Sequence, residues 1–322
     1  MACYHPMLGH FVGYNSDTNK REFKIEGAWH PEYKDMYPGS VPIPCGKCIG
    51  CKLDYSRQWA DRMILELDHT KKGVFLTLTY DNDHVPIGMY DESDFPLSYS
   101  LNKRDFQLFM KKLRKRFGNG LRFYAAGEYG SNTLRPHYHA IIFGLSLDDF
   151  GDKERVGKNE LGQFYYKSDL MSNIWQNGFV CLSDVSWKTC AYVARYVTKK
   201  VNNDLENLYL VSNIEPEFSL MSRRPGIGAF FFEDHPDRVG LSNFSVGDQN
   251  GAKTVRIPNY LFKKLEIIID EDEFQNLKEQ REKAANDRVL LKLQKTNLSF
   301  IELMEREEDA KLAQIKGLSR PV

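Results

Sequence analysis

RPHYHAIIFGL, residues 135–145, is the stretch from which the rest of this chain is best read. From His137 to Leu145 it has the β-rich, apolar character of a strand, and side chains of a strand alternate between its two faces. His137 and His139 stand two apart, so both imidazoles leave the same side. LRFYAAGE, residues 121–128, reads as a second strand, joined to the first through a connection containing Gly130, Asn132 and Pro136, which predicts a hairpin-like antiparallel pair. Glu128 closes that strand and is the acidic candidate for a third ligand beside the two histidines. Two neutral imidazoles and a carboxylate would hold a divalent ion with positions open for water and a phosphate, as Lewis-acid catalysis requires. The competing reading is a half-buried histidine pair making ordinary hydrogen bonds.

Upstream, Leu53, Trp59, Ala60, Met63, Ile64 and Leu67 recur at helical spacing until Gly73 breaks the pattern, and VFLTLTY (74–80) follows as a strand. A polar loop over 81–100 leads to Asn102, an N-cap, and then to a helix with Phe106, Phe109, Met110, Leu113 and Phe117 on one face. Residues 103–122 carry eight Lys or Arg against the single acid Asp105. The basic face can lie along a nucleic-acid backbone, or it can simply be solvated. Downstream, a charged insertion over 148–167 precedes a short helix near Trp175, a strand at 179–182 and the helix WKTCAYVARYVTKKV (187–201). Tyr192 and Tyr196 lie four apart on that helix, so their Cβ atoms are about 5–6 Å apart on one face. Val193, Val197 and Val201 form a separate apolar line, which partly spares the phenols from packing; a core aromatic pair is the alternative. Lys199 and Lys200 follow within a turn, where a cation favours phenolate or holds a phosphodiester.

Composition bounds the whole. With 322 residues, 42% apolar and 13% aromatic, the chain can bury one sizeable core and a second small unit. There is no apolar run of about 18 residues, and MACYHPMLGH lacks the order of a signal peptide, so a soluble intracellular protein is expected. The 44 basic and 44 acidic residues balance, which by itself gives no support to a nucleic-acid partner. Six cysteines, three of them bunched as Cys45, Cys48 and Cys51, do not form a secreted disulfide framework. Their C-x₂-C-x₂-C spacing, with Cys3 or His5 as a fourth ligand, fits a structural zinc; otherwise they are reduced thiols at a glycine-rich turn. From 266 to 309, thirteen acids face seven bases, and a charged helical tail is expected from about Glu271. No phosphate-binding Gly-x-x-x-x-Gly-Lys-Ser/Thr loop is present.

FLTLTYD (75–81), RPHYHAIIFG (135–144) and AYVARYVTKK (191–200) together resemble, in order, the three motifs of HUH rolling-circle initiators. Combined with PCGKCIGCK (44–52) and RRPGIG (223–228), the set resembles the replication initiators of small single-stranded DNA phages, the gokushovirus branch of the microviruses, over roughly residues 3–228. The resemblance implies His137 and His139 as metal ligands for Mg²⁺ or Mn²⁺, with Glu128 beside them. It implies Tyr192 and Tyr196 as paired nucleophiles that leave a 3′-hydroxyl and a 5′-phosphotyrosine link and rejoin the ends at termination, with Lys199 assisting at the phosphate. The fold it implies is α+β: a central antiparallel sheet of the palm or ferredoxin-like type with the H-x-H strand in its middle. Helices are expected to cover one face, the tyrosine helix to reach toward the open side, and a helical extension to end the chain. The expected organisation is an N-terminal segment with the cysteine loop (1–52), an endonuclease core (53–235) and an acidic helical accessory region (236–322). The implied substrate is single-stranded or melted viral origin DNA in the host bacterial cytoplasm, with a host helicase and polymerase as partners and no membrane. A sequence-specific nucleic-acid-binding protein that does not cut is the reading against which this one is weighed.

Overall fold

In the computed structural model, which describes residues 3–17, 21–30, 39–130, 133–158, 163–199, 203–241, 243–248 and 251–316, the chain divides into two compact units. One is Ser56–Leu265; the other joins Met1–Tyr55 to Glu266–Arg320. The N-terminal strands β1 (Met7–Tyr14), β2 (Arg21–Ala28) and β3 (Ser40–Ile43) form an antiparallel sheet in the order β2-β1-β3. Helix α1 (Ile49–Thr70) follows and runs on into the larger unit.

The larger unit continues with β4 (Gly73–Tyr80), β5 (Ile87–Tyr90), β6 (Pro96–Tyr99), α2 (Lys103–Phe117), β7 (Arg122–Tyr129), β8 (Pro136–Phe143), β9 (Glu154–Lys158) and β10 (Phe164–Lys167). Then come α3 (Asp169–Trp175), β11 (Gly178–Asp184), α4 (Trp187–Lys199), α5 (Asn203–Val211), β12 (Phe218–Met221), β13 (Asn243–Asp248), β14 (Gly251–Arg256) and α6 (Asn259–Ile268). Its seven-stranded sheet has the order β12-β7-β8-β4-β11-β10-β9, antiparallel throughout. The expected α+β fold with the H-x-H strand, β8, in the interior of the sheet is what forms.

One difference lies in how the sheet is covered. Val74, Leu76 and Leu78 of β4 and Tyr138, Ala140 and Ile142 of β8 form one face, and the buried Phe106, Phe109, Met110 and Leu113 of α2 pack into it with Trp175 of α3. The opposite face is covered as well. There the Trp59 ring of α1 lies 5.1 Å from that of Tyr124 on β7, and Trp187 of α4 donates its indole N–H to Asp61 of α1 at 3.0 Å. Helices therefore cover both faces, not one. The physical reason is in β8 itself: Ala140, Ile141, Ile142 and Phe143 are all fully buried, and a run without alternation needs apolar cover on each side.

Helix α2 begins where expected: the Asn102 side chain accepts from the Arg104 N–H at 2.9 Å. The polar stretches expected as loops hold further strands. Residues 81–100 contain the β5–β6 hairpin, and the charged insertion over 148–167 contributes β9 and β10 to the sheet edge. The tail is helical, as expected, in α7 (Glu271–Leu293) and α8 (Phe300–Lys316), and Phe300 and Met304 share a small core with Leu8 and Trp29. None of the described helices is long and apolar enough to cross a membrane.

Candidate metal and tyrosine site

Antiparallel register brings the acid and the two histidines together. Glu128 on β7 stands opposite His137 on β8, and Ala126 stands opposite His139. All three side chains of the set thus project from one face of adjacent strands, the face that also receives α4. Glu128 Oε1 lies 2.7 Å from His137 Nε2 and 3.0 Å from His139 Nε2. The three side chains offer ligand atoms that are all within 4.8 Å of one another.

The remaining ring nitrogens are held from behind. His137 Nδ1 lies 3.2 Å from the Arg135 carbonyl, and His139 Nδ1 lies 3.0 Å from Thr77 Oγ1 on β4, the residue paired with it in the sheet. A carbonyl can only accept, so His137 carries a proton on Nδ1, and the neutral ring then turns the Nε2 lone pair toward the carboxylate. Lone pairs of nitrogen and oxygen facing each other call for a cation between them. A ring N–H fixed on a carbonyl, with the other nitrogen bare, is the usual way a protein prepares a metal-binding histidine. The donor set fits a divalent ion.

Glu128 is 4% exposed. Burial by itself raises its pKa, but hydrogen bonding to His137 and His139 outweighs burial and brings it down to about 2, so the carboxylate is charged at neutral pH. The Phe75 ring of β4 stacks on His139 with 5.6 Å between centroids and 15° between planes, leaving that imidazole little freedom to turn.

Tyr192 comes to the same place from α4. Its hydroxyl is 3.2 Å from His139 Nε2 although 53 residues separate the two, and its ring stands edge-on to His139 at 5.0 Å. The Arg195 guanidinium lies 5.9 Å from the centre of the Tyr192 ring. The structure thus gathers Glu128, His137, His139 and Tyr192 of the residues singled out in the sequence. The side chains of Tyr196 and Lys199 lie outside the described residues. The basic helix α2 is on the other face of the sheet, so its row of Lys and Arg does not line this site.

Two contributors escaped the sequence reading, Thr77 and Phe75. Both belong to the VFLTLTY strand, two apart and on one face, but which residue of β8 each meets depends on pairing register, which that strand alone does not encode.

The four remaining candidates, Cys3, Cys45, Cys48 and Cys51, also come together. Their sulfur atoms all lie within 4.8 Å of one another.

Residues 73–201 match the family model of the replication-associated protein ORF2. Over its full length the chain is 29% identical to the replication-associated protein ORF2 of Spiroplasma virus 4, covering 98% of that protein. It is 36% identical to the replication-associated protein VP4 of Bdellovibrio phage phiMH2K over 53% of each chain. It is 30% identical to the replication-associated protein ORF4 of Chlamydia phage 1, over 74% of this chain and 57% of that one. No solved structure matches the chain.

Proposed function

The chain belongs among the replication-associated proteins of small phages, and on that footing we propose that it starts rolling-circle replication by nicking one strand of the viral origin with a tyrosine. The observation that carries this reading is the Tyr192 hydroxyl 3.2 Å from His139, beside a carboxylate and two imidazoles whose lone pairs converge. Tyr192 is the group nearest the centre, and in this reading it makes the cut.

Its phenol oxygen attacks the phosphorus of a phosphodiester, the bond to the 3′ oxygen breaks, and the chain keeps the 5′ phosphate as a tyrosyl ester. The phenol loses its proton as the bond forms, and the departing oxygen takes one up to become the 3′-hydroxyl primer. An ordinary phenol has a pKa of about 10, so forming phenolate at pH 7 costs roughly 4 kcal/mol. The phosphoester stores the energy of the broken bond, so a free 3′-hydroxyl can reverse the step and rejoin the ends. Tyr196, one helical turn on, is the second nucleophile at termination, and Lys199 the cation at the phosphate.

Glu128, His137 and His139 would hold a divalent ion, which when bound draws negative charge from the phosphate and orients it. Two imidazole donors favour Mn²⁺ over the more oxygen-seeking Mg²⁺. Glu128 balances the ion's charge. Phe75 and Thr77 fix His139, so the geometry exists before DNA arrives, and pre-set geometry lowers the barrier. The substrate is single-stranded or melted DNA, since a phosphate between neighbouring strands would not reach a site at this depth. A host helicase and polymerase would extend the freed primer in the host cytoplasm.

The test is a denaturing gel of protein mixed with labelled single-stranded origin fragments and Mn²⁺. A covalent adduct that requires the ion and disappears in Tyr192→Phe supports cleavage by Tyr192. An adduct lost only in Tyr196→Phe moves the first cut to that residue. Binding without an adduct on any fragment of the phage genome would leave a non-cleaving DNA-binding protein.

A further inference from the structure

The second cluster of ligand atoms is far from the first in kind: it has four sulfurs and no oxygen or nitrogen donor. Cys3 lies just before β1, Cys45 and Cys48 lie in the turn after β3, and Cys51 lies in the first turn of α1. All are within the unit that joins Met1–Tyr55 to Glu266–Arg320. None is in a disulfide. Cys45 and Cys51 sulfurs are 4.0 Å apart, as are those of Cys3 and Cys48. Four sulfurs placed about 2.3 Å from a zinc ion at tetrahedral angles stand about 3.8 Å from each other. The thiols are already close to that spacing.

The backbone around them is arranged for negative sulfur. Amide N–H groups point at three of the four: Cys45 N–H at Cys3 Sγ (3.2 Å), Cys48 N–H at Cys45 Sγ (3.3 Å), and both Cys51 and Tyr4 N–H at Cys48 Sγ (3.4 Å each). A neutral thiol is a weak acceptor, and a run of amides offered to sulfur suits thiolate. Gly46, at φ 74°, supplies the left-handed turn that lets the amides after Cys45 face inward. The positive end of the α1 dipole lies beside Cys48 and Cys51.

The choice of the fourth ligand left open by sequence is also answered by contact. His5 Nε2 is engaged by the Glu308 carboxylate of α8, whose other oxygen accepts from the Ile49 N–H at 3.3 Å. Cys3, not His5, faces the cysteine loop.

We infer that Cys3, Cys45, Cys48 and Cys51 bind one structural zinc ion as a closed tetrathiolate, which staples the chain's first residues to the start of α1. Four protein ligands leave no position for substrate, so the ion has no part in cleavage. Its role follows from size: the packed core of this unit includes only a small cluster around Leu8, Trp29, Phe300 and Met304, and small cores commonly rely on a metal cross-link. Binding expels the thiol protons and couples zinc affinity to folding.

The full chain, purified without chelator, is expected to carry one zinc per molecule after dialysis against EDTA strong enough to strip Mn²⁺. A mercurial reagent that caps thiols should release it to a coloured indicator. Cys45→Ser with Cys48→Ser should take the zinc content from one to zero, whereas Cys181→Ser, on β11, should leave it at one. Should the double variant fail to fold, cobalt replacement in the unaltered chain decides. Strong sulfur-to-cobalt charge-transfer bands with intense tetrahedral d–d absorption are expected. Wild-type protein free of zinc and without those bands overturns the inference, as does iron in place of zinc, or zinc that persists in the double cysteine variant.

Discussion

Glu128 stands between His137 and His139 as a charged carboxylate at 2.7 and 3.0 Å, and its charge is what the site offers a cation. Glu128→Gln keeps the shape and removes the charge, so Mn²⁺ binding followed by paramagnetic resonance should weaken by more than about tenfold while the fold persists. Thr77 acts one bond further out. Its hydroxyl sits 3.0 Å from His139 Nδ1, and Thr77→Val should lower ion affinity by about 10–100-fold with little change in DNA binding measured without the ion. An unchanged affinity in Thr77→Val would show that stacking by Phe75 alone holds the ring. At this scale the sequence was informative about residue type and face, through the two-residue period of β8, and silent about Thr77, because a cross-strand partner is chosen by register.

Among the elements, α2 shows how a helix can be read almost entirely from its own residues. Its apolar face, its basic face and its cap at Asn102 were all legible, since each depends on neighbours within a turn. Asn102→Ala removes the acceptor for the Arg104 N–H and should cost about 1 kcal/mol in urea unfolding. What could not be read was the face of the sheet to which α2 docks, and hence that its basic side turns away from Glu128 and the histidines. Short edge strands were missed for a related reason. β9 is exposed along its whole length and has no apolar alternation; pairing with β10 is what makes it a strand.

For the larger unit as a whole, the buried phenols under α2 set an alkaline limit. The Tyr80 hydroxyl donates to Asp105 at 2.7 Å and lies 2.7 Å from the Tyr138 hydroxyl, which accepts from the Asn102 N–H at 3.0 Å. Burial pushes the pKa of Tyr80 and Tyr138 well up, and burial also pushes Tyr129 up to about 12. An acid whose pKa is higher folded than unfolded stabilises the protein fully below its unfolded value, about 10 for a phenol, and loses that contribution as pH rises toward the folded value. Tyr129 alone accounts for roughly 2–3 kcal/mol of this. Unfolding followed by tyrosinate absorption should therefore set in above pH 10 as one cooperative step. Separate ionisation of these phenols in a still-folded chain would contradict it.

By itself the sequence determined the class of fold, the strand with its two histidines, the α2 and α4 helices, the helical tail and the cysteine spacing, because periodicity, caps and short motifs are set by bonds along a few residues. Only the tertiary structure decided that Glu128 meets both histidines, that Thr77 backs one of them, and that Tyr192 arrives from 53 residues away. It alone joined Cys3 to a loop more than forty residues on, and covered the sheet on both faces. Those outcomes depend on register and on which surfaces bury each other, and these are properties of the packed chain that no local pattern contains.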